Sequence, residues 1–279
     1  MMQKEVNISR VQSPSSINTY KQCPRKYYYR YLLNLPTLPS IHLARGKITH
    51  SVLEDFFSIE VSSLSNENFL FELNIIMHEI FKKYWKDHLP KLRMFDLSQV
   101  QLDFYNQETM EMLDGWFDDF KSKIIEKSKT TTIKDAFKSL IPEREVQYLN
   151  EEYGVQGYID AIYRSDNEVI LMDYKTSKKK HISDEYYLQL AIYAFLYKLK
   201  HKQLPTKVGI HFLKHGEELI DADESLVNYA QEEVELIHIK TESKDMADYP
   251  KKPSPLCKWA TGQCDYYDIC FKQKRIDEF

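Results

Sequence analysis

The chain has 279 residues, of which 43% are hydrophobic and 29% charged, and a formal net charge of −4. This globular balance excludes a strongly basic coat for nucleic acid and leaves such affinity to local patches such as Lys178, Lys179 and Lys180. No apolar run reaches the roughly 20 residues of a membrane helix, "MMQKEVNISRVQSPSS" lacks a signal-peptide core, and neither GxGxxG nor GxxxxGK[ST] occurs. A cytoplasmic protein with no membrane partner and no nucleotide-driven motor is expected.

Only seven glycines stand beside twenty tyrosines and fourteen phenylalanines, which favours a helical, aromatic-packed body. In chain order, "SSINTYKQCPRKYYYRYLL" opens on serines suited to an N-cap. "GKITHSVLEDFF" spaces Ile48, Val52, Leu53, Phe56 and Phe57 as a helix does. Residues 66–88 and 99–127 continue that period, so 1–135 is read as a helical region. From about 142 the period becomes two. "EREVQYLN", "YGVQGYIDAIYR" and "EVILMDYKT" read as three neighbouring strands joined by turns at "NEE" and "RSDN". A helix, "DEYYLQLAIYAFLYKLK", follows. Then come a hairpin of "KVGIHFLK" and "EELIDA" through His215 and Gly216, and a helix to about 240. Residues 136–245 therefore form an α/β core, and 246–279 a proline-punctuated, cysteine-bearing tail; the whole is expected to be one elaborated domain.

Chemistry concentrates at the end of the third strand. Side chains alternate across a strand, so Asp173 and Lys175 share a face with Val169 and Leu171, while Tyr174 faces the other way. Asp160 sits in the apolar run "GYIDAIY", where a carboxylate needs a pair or a metal. Two carboxylates can hold Mg²⁺ or Mn²⁺, which lowers the pKa of a bound water, and a lysine beside them can orient that water. The plain alternative is an ion pair of Asp160 with Arg164 and a solvent-facing end to the strand.

"GYIDAIY", "LMDYKT" and "QLAIY", in this order, resemble the core of the PD-(D/E)XK nucleases of the RecB-like branch. The resemblance implies a restriction-endonuclease-like mixed sheet flanked by helices. It implies Asp160, Asp173 and the Tyr174 carbonyl as metal ligands and Lys175 as the water-activating lysine, with Gln189 and Tyr193 as the Q-x-x-x-Y pair. These two lie at i and i+4 on one helix side, where an ordinary core stripe is the competing reading. His50 matches the extra metal-ligating histidine of the branch's exonucleases. Either Glu143 or Glu145 corresponds to the acidic residue of the preceding strand, since both point one way from it.

Cys23, Cys257, Cys264 and Cys270, three of them bunched near the C-terminus, suggest a metal or cluster site in a reducing compartment. "INTYKQCPRKYYYRYLL" is similar to the opening motif of the branch's iron–sulfur subset, which includes the AddB nuclease and the CRISPR-associated adaptation nuclease. There one N-terminal and three C-terminal cysteines hold a [4Fe–4S] cluster. The subset commonly shows C-x-x-C, whereas here six residues separate Cys257 from Cys264; structural Zn²⁺ is the rival. Nearby Lys251, Lys252, Lys258, Lys272, Lys274 and Arg275 could meet a DNA backbone, and Tyr27, Tyr28, Tyr29, Trp259, Tyr266 and Tyr267 could stack bases, although solvated charge and core packing are the commoner explanations. The expected function is a metal-dependent exonuclease on single-stranded DNA or DNA ends, in repair, recombination or CRISPR adaptation. The alternative is a DNA-end-binding or assembly module with a vestigial site, serving a helicase or integrase partner.

Overall fold

The computed structural model describes residues 8–95, 97–165, 167–260 and 262–272. Its first helix, α1 (Pro14–Gln22), is set by Ser13, whose hydroxyl accepts from the Ser16 N–H while the Ser16 hydroxyl accepts from the Ser13 N–H. The cap is thus two residues earlier than Ser15, the first of the serine pair read from sequence, with Pro14 at the first helical position. Nor does this helix run through to Leu33. Cys23 is extended (φ −160°), as suits a residue before proline, and a short α2 (Pro24–Tyr27) restarts beyond it and passes into a π-turn over Tyr28–Leu32. The break leaves Cys23 at a corner.

Four helices follow, α3 (Ile41–Phe56), α4 (Phe69–Leu92), α5 (Gln99–Lys127) and α6 (Ile133–Ser139). Their inward faces meet around Phe56, Phe57, Trp116, Phe120 and Phe137. Most of these rings contact edge to face at 5.3–6.0 Å, and Trp116 stacks on Phe120 at 5.2 Å. The strands are β1 (Glu143–Asn150), β2 (Val155–Arg164), β3 (Val169–Lys175), β4 (Lys207–Phe212) and β5 (Gly216–Asp221), in spatial order 1-2-3-4-5. All neighbours are antiparallel except β3 and β4. These run parallel because α7 (Asp184–His201) carries the chain back between them.

The sheet divides two apolar clusters. Ala161, Met172 and Tyr174 pack with α3–α6, whereas Ile159, Leu171, Val208, Ile210 and Phe212 pack with α7, with α8 (Glu224–Lys240) and with Ile17 of α1. Strand β3 is therefore covered on both faces. That is why it reads as a continuous apolar run until Asp173.

The tail folds back on the N-terminal segment. Arg25 donates to the Tyr249 carbonyl at 2.7 Å, the Tyr266 hydroxyl to the Leu35 carbonyl at 3.0 Å, and the Leu38 N–H to Asp265 at 3.0 Å. Tyr249, fully buried, lies among Tyr20, Tyr27 and Tyr28. A two-residue hairpin, β6 (Lys258–Trp259) with β7 (Gly262–Gln263), and α9 (Tyr267–Phe271) were not read from the sequence. Of the aromatics considered for base stacking, Tyr27, Tyr29 and Tyr266 are core, while Trp259 stays exposed. Lys274 and Arg275 lie outside the described residues.

Candidate active site

At the end of β3 the alternation places Asp173 on the α7 side and Tyr174 on the α3 side. Asp173 is only 2% exposed. Its Oδ1 accepts from Gln189 Nε2 at 2.7 Å and from the Tyr193 hydroxyl at 3.3 Å, and Gln189 also donates to that hydroxyl at 2.7 Å. These two residues, one turn apart on α7, are held by Ser183, which caps the helix by accepting from the Tyr186 N–H. The second oxygen, Oδ2, is buried without a hydrogen bond of good geometry and faces the Lys175 ammonium at 2.7 Å. That ammonium also lies 5.3 Å from the Tyr186 ring centre.

Burial raises the Asp173 carboxyl to about 6, against the lowering influence of Lys175. Burial disfavours the Lys175 ammonium too, but the Asp173 carboxylate outweighs it and the lysine is shifted up. The two shifts bear differently on one contact. The 2.7 Å geometry decides for an ion pair, with Asp173 carrying the cost of burial.

One strand away, Asp160 is 9% exposed, and its Oδ2 accepts the Tyr174 N–H at 2.8 Å. His50, from α3, donates through Nε2 to the Tyr174 carbonyl at 3.1 Å and turns Nδ1 to Asp160 at 3.5 Å and Glu145 at 3.8 Å. His50, Glu145 and Asp160 bring ligand atoms within 4.8 Å of one another. Burial works against an imidazolium there, but hydrogen bonding to Asp160 and Glu145 and the nearby carboxylate charges push its pKa up to about 10. A divalent cation would take the place of that proton. Imidazole, carboxylates and a backbone carbonyl form a donor set suited to Mn²⁺ or Mg²⁺. Asp173 is outside this close trio, its free oxygen pairing with Lys175 at 2.7 Å.

The choice between Glu143 and Glu145 turns on one dihedral. Glu145 has φ +48°, in the left-handed region that non-glycine residues rarely enter, so strict alternation fails at this point of β1. Glu145 reaches His50, while Glu143 pairs with Arg164, which also donates to the Tyr197 hydroxyl at 2.6 Å. Arg164 is thus engaged by Glu143 and not by Asp160. His50, Glu54, Arg144, Glu145, Asp160 and Tyr174 line one pocket.

Two groups escaped the sequence reading. Arg45 of α3 is buried against Glu108 of α5 at 2.8 Å, and Lys178, just past β3, reaches the other oxygen of Glu108 at 3.3 Å. Behind Tyr174, its hydroxyl bonds that of Tyr163 at 2.8 Å, and buried His211 stands 3.3 Å from Asp119 and 3.5 Å from Glu217. Both join distant segments, so no local spacing betrays them.

All four cysteines are free thiols, and all line one pocket formed by α2, the tail and α9. The Cys264 N–H donates to the Cys257 carbonyl at 2.9 Å, and burial raises the thiols of Cys264 and Cys270. The corner at Cys23 and the small β6–β7 hairpin bring this set together from opposite ends of the chain.

Among known proteins, the family model of the PD-(D/E)XK nuclease superfamily matches residues 12–271. The crystal structure of a candidate exonuclease from Eubacterium rectale superposes with a TM-score of 0.51 at 11% identity, covering 99% of this chain and 94% of that one. It shares the fold. No curated protein matches in sequence. Among the described residues no helix is long and apolar enough to cross a membrane.

Proposed function

The chain belongs to the PD-(D/E)XK nuclease superfamily, and on that footing we propose that it is a metal-dependent deoxyribonuclease of the RecB-like branch, one elaborated domain acting as an exonuclease on single-stranded DNA or DNA ends. The observation that carries this is the meeting of His50, Glu145, Asp160 and the Tyr174 carbonyl beside the Asp173–Lys175 pair. A bound Mg²⁺ or Mn²⁺ would supply an acidified water and charge stabilisation at the phosphate. Asp160 and Asp173 would hold the cation with His50, Glu145 and the Tyr174 carbonyl. Lys175, an ammonium beside Asp173, would orient the attacking water and offset the charge that develops on the phosphate, the water's proton passing to solvent; Gln189 fixes Asp173 and, with Tyr193, can reach a substrate phosphate.

The four cysteines would hold a [4Fe–4S] cluster as a staple between the N-terminal segment and the tail. Among the described residues only His50, Glu145 and Asp160 bring three ligand atoms within 4.8 Å, so no three of the sulfurs meet that closely. Structural Zn²⁺ would use the same four thiolates, and iron content decides between the two. A helicase or a CRISPR integrase complex is the partner such an exonuclease would serve. End-labelled single strands incubated with anaerobically purified protein test the reading. Loss of label with Mn²⁺ but not with EDTA, from a brown, iron-containing sample, supports it; intact strands from folded protein at every metal tried refute it.

A further inference from the structure

Of the chain's seven glycines, six answer a structural need. Gly154 and Gly216 have positive φ, and at Gly115, Gly157, Gly209 and Gly262 an added Cβ would meet a neighbouring atom at 2.4–3.2 Å. Gly46 does neither. It sits in the interior of the 16-residue α3 with ordinary helical backbone, and a Cβ there would find nothing within 4 Å among the described residues. Glycine is among the least favourable residues in a helix interior, so this position carries a cost that no packing among the described residues explains.

The surroundings point to what does. His42, Gly46 and His50 form one i, i+4 row, so the bare backbone lies one turn, about 5.4 Å, from the candidate metal ligand. The segment after β3 comes to the same helix. Lys178 is close enough to act electrostatically on His42, its side chain is 66% exposed, and its position is fixed by the buried Glu108–Arg45 pair. Beside the row, the Tyr105 ring stands 5.7 Å from His42 with the Arg45 guanidinium 5.0 Å from its centre, and Phe104 next to it is an exposed aromatic.

We propose that the substrate strand crosses α3 at Gly46, a sugar–phosphate unit lying directly on the helix backbone one turn from His50, with the Lys178 ammonium on its phosphate. The proposal rests on the nuclease reading and makes Gly46 a specificity-determining residue: a side chain there occupies the place of the strand. A polymer passing over the turn is obstructed, whereas a small phosphodiester that reaches only the metal ligands is not.

The test compares wild type with Gly46→Leu and Gly46→Ala. Readouts are binding of a short single-stranded oligonucleotide in Ca²⁺, its cleavage in Mn²⁺, hydrolysis of bis(p-nitrophenyl) phosphate, and melting temperature. Gly46→Leu should bind and cleave the strand at least about tenfold less well, the loss of one good backbone contact, with nitrophenyl hydrolysis unchanged. Gly46→Ala, which has room in any case, should melt about 2 °C higher, as a better helix former does, and still lose part of its strand affinity. Strand binding and cleavage equal to wild type in both variants would overturn the proposal and leave the nuclease reading standing. Parallel loss of nitrophenyl hydrolysis would also overturn it, by making Gly46 a support for His50. A wild type that neither binds nor cleaves removes both readings at once.

Discussion

Replacing Lys175 by Met leaves a carboxylate, 2% exposed, without its cation. Breaking a buried pair costs about 3–5 kcal/mol. Here the lysine side chain is 23% exposed and Oδ1 of Asp173 keeps its bonds to Gln189 and Tyr193, so about 2 kcal/mol is the expected loss for the metal-free protein. In a chain of this size that lowers the melting temperature by about 5 °C. The loss must depend on pH. The folded Asp173 carboxyl titrates at about 6, above its ordinary 3.8, so the native state holds the extra proton and stability falls as pH rises through that window. Without Lys175 the folded value rises further. The gap between variant and wild type therefore widens from pH 4 to pH 8. Freed of its lysine, Asp173 also becomes a better ligand, so Mn²⁺ should bind Lys175→Met more tightly although cleavage is lost. At a hundred times its dissociation constant the ion adds about 2.7 kcal/mol. Thermal melts across pH, with and without Mn²⁺, read all of this. A pH-independent gap, or weaker Mn²⁺ binding by the variant, refutes the reasoning.

The remaining predictions concern the neighbouring groups. Because the imidazolium of His50 persists to about pH 10 in the metal-free protein, Mn²⁺ must displace a proton: affinity rises with pH towards 10, and titration calorimetry in buffers of different ionisation enthalpy should show about one proton released. Constant affinity between pH 6 and 9 would contradict that. Glu145→Gly removes a proposed ligand from a left-handed position, φ +48°; stability should rise by about 1 kcal/mol, as strain is relieved, while Mn²⁺ affinity drops. If it melts lower than wild type, the strain argument fails. Cys264→Ser should lose iron and colour and melt lower. Retention of full iron would exclude Cys264 as a ligand.

Much of the site was legible because it breaks a pattern. A carboxylate within "GYIDAIY", and an Asp and a Lys two apart at the end of a run covered on both faces, call for a partner or a metal; pattern alone leaves an ion pair equally open, and the resemblance to the nuclease core tips the reading to chemistry. Gln189 and Tyr193 come from the resemblance to the Q-x-x-x-Y element, helical spacing alone leaving a core stripe equally open, and both do reach Asp173. Alternation could not choose between Glu143 and Glu145, because one left-handed residue redirects the strand's side chains. The break at Cys23 is written in the following proline, which sets the residue before it extended. The tail hairpin, at two residues per strand, is too short to leave any period. Arg45 with Glu108, and His211 with Asp119 and Glu217, are pairings across the fold that no window of sequence contains.

The most direct test of the account is the rate at which Asp173→Ala and Lys175→Ala, each shown to be folded and to bind single-stranded DNA, cleave an end-labelled strand in Mn²⁺ beside wild type. The account predicts a fall of at least about a thousandfold in both, since one removes a proposed metal ligand and the other the cation proposed to orient the attacking water. Cleavage at the wild-type rate by either variant would contradict it.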